Sequence, residues 1–162
     1  GRMANSLDDV VSGALRVLDE YGLEFCSMRR VASELGVQPS ALYHHVPDKQ
    51  RLLALMADQI VAEVEVGVDP AKTALALREA MLAVRDGADV VATASAFRLG
   101  DSRIETELAA QTSPDVARTL LLYVFGHTQA TQMHRQAAQV GILAEDPDLD
   151  ASFARGLDLI LR

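Results

Sequence analysis

Residues 27–49, SMRRVASELGVQPSALYHHVPDK, constrain the fold of this chain more than any other segment. Apolar residues recur three and four positions apart, which predicts an amphipathic helix over residues 27–35 that ends at Gly36. Pro39 suits the first position of a second helix, because the N–H that proline lacks would be unpaired there. Two short helices joined by a tight turn that contains glycine are typical of a helix-turn-helix, whose second helix lies in the major groove of DNA.

The second helix, predicted over residues 39–46, has an inner and an outer face. Leu42 and Val46 lie one turn apart and face inward, whereas Ser40 and His44 point the opposite way. A proline and an aspartate follow, which end this helix and cap the next one. The outer face is therefore the surface that the sequence offers to a duplex.

Residues 35–53, LGVQPSALYHHVPDKQRLL, resemble the characteristic segment of the TetR family of bacterial regulators. The Gly-Val pair, the Leu-Tyr-x-His run and the lysine four residues beyond His45 match the family pattern. The chain resembles the tetracycline-repressor subgroup most, because that subgroup has a valine, here Val46, where most of the family has phenylalanine. The resemblance implies an all-α protein with an N-terminal three-helix helix-turn-helix DNA-binding domain and a C-terminal helical ligand-binding and dimerisation domain. It also implies a homodimeric repressor that a small molecule releases from a palindromic, double-stranded DNA operator.

Composition and charge agree with this class. The 162 residues are 49% hydrophobic and 4% aromatic, with no strand-like alternation between turn dipeptides. The net charge is −8, yet residues 27–51 carry four Lys and Arg against two Asp and Glu, and local charge sets phosphate contacts. A single cysteine and the lack of an 18-residue apolar run predict a soluble cytoplasmic protein with no disulfide and no membrane span.

Helical periodicity predicts the other elements and their grouping. The remaining predicted helices span residues 8–21, 48–66, 73–85, 101–111, 114–140 and 151–162. Turn residues at positions 67–70 divide the chain. We therefore expect a DNA-binding domain over residues 1–48, a linking helix over 49–66 and a ligand-binding and dimerisation domain over 67–162. By the resemblance, helices at about 114–140 and 149–162 form a four-helix bundle with a second subunit.

The resemblance assigns DNA contacts residue by residue. Arg29 matches an arginine that reaches a guanine edge, and a solvated helix-end charge is its alternative. Tyr43, His45 and Lys49 match phosphate contacts, which position a protein without specifying sequence; Tyr43 can also pack partly into the core. The base-reading end and outer face of the second helix comprise Gln38, Pro39, Ser40, Ala41 and His44. The Gln-Pro-Ser run stands one position earlier than the Gln-Pro-Thr of tetracycline repressors, so the operator sequence does not transfer.

The second domain offers aromatic, apolar and histidine side chains to a small hydrophobic ligand. Such residues line small-molecule pockets, but they also fill cores. His127 matches a histidine that faces the drug in tetracycline repressors, and a core or interface role is an equal alternative. The Arg-Asp-Gly turn at residues 85–87 matches one that precedes a helix shifted by ligand, or it is an ordinary charged helix end. The predicted ligand residues are Met81, Phe97, Leu99, Tyr123, His127, Met133 and His134.

The metal-chelating pattern of tetracycline repressors fails in this sequence. Val91 replaces the metal-binding histidine, and Arg135 stands where an acidic residue lies near the metal. We therefore expect no metal, no cofactor and a ligand other than magnesium–tetracycline. Neither a His-Glu-x-x-His pattern nor a phosphate loop nor a nucleophile elbow occurs, so the chain is not expected to be an enzyme. The open alternatives are an activator, a ligand-independent architectural DNA-binding protein, and an all-α carrier or enzyme with a vestigial helix-turn-helix.

Overall fold

The computed structural model describes residues 6–99 and 102–162, and in these ranges it consists of helices joined by turns and loops, with no strand. The all-α prediction is therefore confirmed. A short 3-10 turn, Leu23–Phe25, follows the first helix. The helices are α1 Leu7–Tyr21, α2 Met28–Leu35, α3 Pro39–His45, α4 Lys49–Ile60, α5 Pro70–Leu82, α6 Gly87–Ala96, α7 Arg103–Gln111, α8 Pro114–Gln139 and α9 Leu149–Leu161.

Local capping residues fix the start and end of the N-terminal helices. The Ser27 hydroxyl accepts from the Arg30 N–H at 3.1 Å and caps α2, and the Asp48 carboxylate caps α4. Gly36 ends α2 with a φ of 70°, a left-handed conformation that favours glycine. The predicted boundaries of α2 and the start of α3 therefore agree with the structure.

The predicted linking helix is wrong at its C-terminal end. α4 ends at Ile60 rather than at residue 66, and the chain turns so that Val64 is buried. Arg103 of α7 donates to the Val61 and Val64 carbonyls, which replaces the helical hydrogen bonds that would continue α4. The apolar pattern runs on past Ile60, so periodicity alone does not reveal this end.

Two other helices begin earlier than the sequence predicts. α5 begins at Pro70 because the Asp69 carboxylate accepts from the Ala71 N–H at 3.0 Å and caps the helix there. α9 begins at Leu149, two residues earlier than periodicity predicts. The predicted start of α7 at residue 101 lies outside the described residues.

The linking helix α4 lies between the two halves of the molecule. It packs against α1 on one side and most extensively against α6 on the other. The C-terminal half packs α5, α6 and α9 around the long helix α8, with Met81, Leu120, Val124 and Phe153 in its core. None of the helices in the described ranges has the length and apolar character needed to cross a bilayer.

Candidate DNA-binding surface and ligand cavity

Helix α3 has one buried face and one exposed face. Leu42 is 1% exposed, and Val46 just beyond the helix is fully buried against the other N-terminal helices. Ser40, Tyr43 and His44 are exposed, and Tyr43 is 49% exposed although it is aromatic. A short helix that holds its inner residues firmly and leaves polar and aromatic residues outside is suited to contact another macromolecule.

The predicted DNA-contacting residues are accessible in the structure. Arg29 at the start of α2 is exposed, whereas the neighbouring Arg30 lies over the Tyr21 ring at 4.1 Å. Within the described residues, neither Arg29 nor Lys49 forms an ion pair. The others are exposed or half-buried: Gln38, Pro39, Ser40, Ala41, Tyr43, His44 and His45.

An ion pair neutralises the acidic residue of the helix-turn-helix. Glu34, the acidic residue of α2, pairs with Arg16 of α1, with 3.0 Å between Arg16 Nε and the Glu34 carboxylate. The pair is exposed and contributes little to stability. It leaves the charges of Arg29 and Lys49 uncompensated on the helix-turn-helix, where phosphates would be attracted.

The Arg85–Asp86 turn joins the helix-turn-helix region to the C-terminal half. Arg85 Nη1 donates to the Asp19 and Glu20 carbonyls at the end of α1, at 3.1 and 3.0 Å. The Asp86 carboxylate accepts from the Leu23 N–H at 2.8 Å. Its second oxygen accepts from Gln136 Nε2 of α8 at 2.9 Å. These contacts connect both halves through one turn, so the turn is more than an ordinary charged helix end.

A cavity of about 330 Å³ lies between the end of α4, α6, the start of α7 and α8. Nine of its fourteen lining residues are apolar, and three are charged: Asp58, Arg98 and Glu105. Apolar walls with a few polar groups are typical of small-molecule sites. The remaining lining residues are Ala57, Val61, Leu77, Val91, Ala94, Ser95, Leu99, Ser102, Ile104, Leu121 and Phe125.

Of the seven residues that the sequence suggests for ligand binding, only Leu99 lines this cavity. Met81 is fully buried in the core, and Phe97 and Met133 are more than half exposed. His134 accepts from the Asp146 N–H at 2.8 Å and holds the loop before α9. Tyr123 and His127 lie at the contact between α8 and α9. Sequence reasoning missed the contributions of α4 and α6, although the apolar sector of α4 was visible.

His127 is held by α8 and α9 rather than by the cavity. Its Nε2 lies 3.2 Å from the Ser152 hydroxyl, its Nδ1 lies 3.3 Å from the Thr131 hydroxyl, and its ring meets the Phe153 ring edge-on at 5.2 Å. The Thr131 hydroxyl donates to the His127 carbonyl at 2.8 Å, so His127 Nδ1 donates to Thr131 and Nε2 accepts from Ser152. Burial, and then the nearby Arg78 charge, lower the pKa of His127.

This lowered pKa predicts a pH-dependent stability. In the unfolded chain His127 takes up a proton near its ordinary pKa of 6.5, whereas the folded chain resists protonation until a lower pH. The stability associated with neutral His127 is therefore present above pH 6.5 and is lost as the pH falls below it. We expect His127→Gln to reduce the drop in urea midpoint between pH 7.5 and pH 5.5. The exposed His44→Gln variant should keep the full drop; equal behaviour of the two variants would refute the assignment.

Arg78 is a buried cation beside His127. Its side chain is 7% exposed, and its Nη1 donates to the Asp150 carboxylate at 2.8 Å. Its guanidinium carbon lies 4.8 Å from the centre of the Phe153 ring. Hydrogen bonds from Arg78 and Arg135 lower the pKa of Asp150. This pair fixes the start of α9 against α5. No group of three or more His, Cys, Asp or Glu side chains in the described ranges is placed to hold a metal ion.

The helix-turn-helix with an exposed α3, joined through one linking helix to a helical body with a cavity, is the architecture of helix-turn-helix regulators. The family model described as "Bacterial regulatory proteins, tetR family" matches residues 10–56. A crystal structure of BioQ from Mycobacterium smegmatis is 32% identical with a TM-score of 0.90, covering 96% of this chain and 95% of that chain. This chain belongs to the TetR family, as the resemblance in residues 35–53 predicts.

A curated relative and a structure with DNA are also similar to this chain. The class E tetracycline repressor protein of Escherichia coli is 39% identical over 93 residues, which is 51% of this chain and 44% of the relative. The chain thus spans less than half of that curated relative. A structure of BioQ with its natural double-stranded DNA operator is 30% identical with a TM-score of 0.81, covering 95% of this chain and 94% of that chain.

Proposed function

We propose that this protein is a homodimeric transcriptional repressor of the cytoplasm, released from a palindromic operator by a small, largely hydrophobic effector. The observation that carries the proposal is the division of α3, in which Leu42 is buried while Ser40, Tyr43 and His44 are exposed. The likeness to BioQ, whose structure with its DNA operator is known, supports DNA as the partner of this face.

On DNA, the helix-turn-helix residues divide into two roles. Arg29 contacts a guanine edge, and such a bidentate contact contributes about 1–3 kcal/mol of discrimination between bases. Tyr43, His45 and Lys49 contact phosphates and orient the protein. The remaining residues place α3 against the bases: Gln38, Pro39, Ser40, Ala41 and His44.

The outer face of α8 supports a second copy of this chain as the partner. Leu122, Met133 and Val140 are each more than 60% exposed, and they recur at helical spacing. Gly126 and Ala130 lie between them on the same stripe and leave room for a close approach of another helix. A two-fold pairing of α8 and α9 with their copies covers this apolar surface and sets two α3 helices about 34 Å apart, one helical turn of DNA.

The segment that links the two domains couples effector binding to DNA binding. Residues 1–48 bind DNA, residues 49–66 link, and residues 67–162 bind effector and dimerise. The cavity touches both α4 and α6, and α6 starts at the turn whose Arg85 and Asp86 hold the end of α1. An effector shifts the equilibrium only if it binds better to the arrangement that releases DNA.

The proposal is tested by selecting duplexes from a random pool and measuring affinity by fluorescence anisotropy at several salt concentrations. We expect a near-palindromic consensus and an affinity that falls steeply with salt, because phosphate contacts release counterions. Failure to enrich any duplex, or an affinity independent of salt, would exclude a DNA-binding role for the helix-turn-helix.

Replacing phosphate-contacting residues is expected to weaken binding to all duplexes equally. Tyr43→Phe removes one hydroxyl donor, and Lys49→Ala removes one cation, which lowers the salt slope by about 1. Competition with single-base variants of the selected duplex measures whether sequence preference changes. Lys72→Ala, at an exposed position of α5, is the control and should bind as the unmodified protein does. A changed base preference in either variant would contradict the assignment to phosphate.

A further inference from the structure

Arg103, the first residue of α7, hydrogen-bonds to the residue that caps α4 and to the turn that follows it. Its Nη1 donates to the Val64 carbonyl in the turn at 3.0 Å, and its Nη2 donates to the Val61 carbonyl at the cap at 3.4 Å. Carbonyls at a helix C-terminus lack partners within the helix and carry the negative end of its dipole, so a guanidinium is favoured beside Val61. Glu107, one turn further along α7, lies 3.9 Å from Arg103 Nη1.

Residues beside both ends of this contact line the cavity. Asp58 and Val61 line it from α4 and the residue after it, while Ser102 and Ile104 line it from the start of α7. Any molecule that fills the cavity therefore touches residues on both sides of Arg103. The hydrogen bonds that Arg103 donates are charge-assisted and therefore stronger than neutral ones. While these hydrogen bonds are formed, the end of α4 and the start of α7 move together.

We propose that Arg103 is the residue through which an occupant of the cavity acts on α4. This inference rests on the proposed effector role of the cavity. An occupant that displaces α7 pulls on the Val61 and Val64 carbonyls through Arg103, and so moves the C-terminal end of α4. The other end of α4 begins at Lys49, beside α3, so the displacement reaches the DNA-contacting helices.

The test uses side chains in place of an effector. Ala94 is 2% exposed and lines the cavity, so Ala94→Phe places a ring where an occupant would lie. Ser95→Phe, at an exposed lining position, is the second surrogate if Ala94→Phe does not fold. We expect the surrogate to weaken binding to the selected duplex by about tenfold, within the usual range of allosteric coupling.

A double-mutant cycle then isolates Arg103. Arg103→Met keeps an unbranched stem of similar length but has no donors, so in this background the surrogate is expected to change affinity less than about twofold. The matched control is Arg155→Met, because Arg155 pairs with Asp148 at the start of α9 and neither residue lines the cavity. The proposal is overturned if the surrogate keeps its full effect in Arg103→Met, or if Arg155→Met abolishes that effect equally.

Hydrogen exchange gives a readout that does not need DNA. In the otherwise unmodified chain the surrogate should alter exchange at the amides of residues 57–64, and this change should vanish in Arg103→Met. Persistence of the change would overturn the role of Arg103 even if no duplex binds. Absence of duplex binding with an Arg103-dependent change in exchange would instead refute the proposed function alone.

Discussion

Replacing Gly87 with alanine is expected to lower the free energy of unfolding by about 3 kcal/mol, at the upper end of the cost of overpacking. A Cβ at this position would overlap the backbone carbonyl oxygen of Met81, and backbone cannot move aside as a flexible side chain can. The Gly87 N–H also donates to the Val84 carbonyl at 2.9 Å, so the turn between α5 and α6 is tight. Urea unfolding followed by circular dichroism, at one fixed protein concentration, measures the change.

Gly67→Ala is the matched control, because nothing lies within 4 Å of a Cβ built there. It should leave stability unchanged or slightly raised, since alanine has less freedom in the unfolded chain. Asp86 immediately precedes Gly87, and its carboxylate accepts a hydrogen bond from the Leu23 N–H. Displacement of the turn should therefore also speed hydrogen exchange at the Leu23 N–H. Equal stability of the two alanine variants would show that the turn adapts without cost.

Local signals in the sequence were sufficient to predict the two helices of the helix-turn-helix. Ser27, Gly36, Pro39 and Asp48 act on their own helix ends through contacts within three residues, and the structure has each helix end where those residues place it. The split of α3 into inner and outer faces follows from helical geometry alone. The accessibility of the predicted contact residues could therefore be anticipated.

The cavity could not be derived in the same way, because it depends on contacts between distant helices. Phe125 and His127 lie two positions apart on α8, so they point to nearly opposite sides of the helix. Phe125 lines the cavity and His127 packs against α9, but the sequence does not say which side faces which neighbour. The early end of α4 is another example, since the carbonyls of Val61 and Val64 accept from Arg103, which follows Ile60 by more than forty positions.

Replacing Leu122 with glutamate is expected to convert the proposed dimer into a monomer and to weaken operator binding by at least a hundredfold. Leu122 is 64% exposed in the single chain and lies on the apolar stripe of α8. A two-fold interface contains the substituted residue once from each subunit. Two glutamate carboxylates would therefore lose their hydration and lie close to each other, where they repel. The loss of affinity follows because linking two binding modules raises affinity by roughly 10²–10⁴-fold, and a monomer forfeits that gain.

Sedimentation velocity measures the association state, and anisotropy with the selected duplex measures the affinity. Leu75→Glu is the matched control, because Leu75 is also an exposed leucine, 43% accessible, but lies on α5 away from the α8 stripe. This variant should remain dimeric and bind normally. A half-site duplex sharpens the comparison: the Leu122→Glu monomer should bind it as well as the unmodified protein does, because each head is intact. A Leu122→Glu protein that stays dimeric with full affinity would place the subunit interface on another face of the molecule.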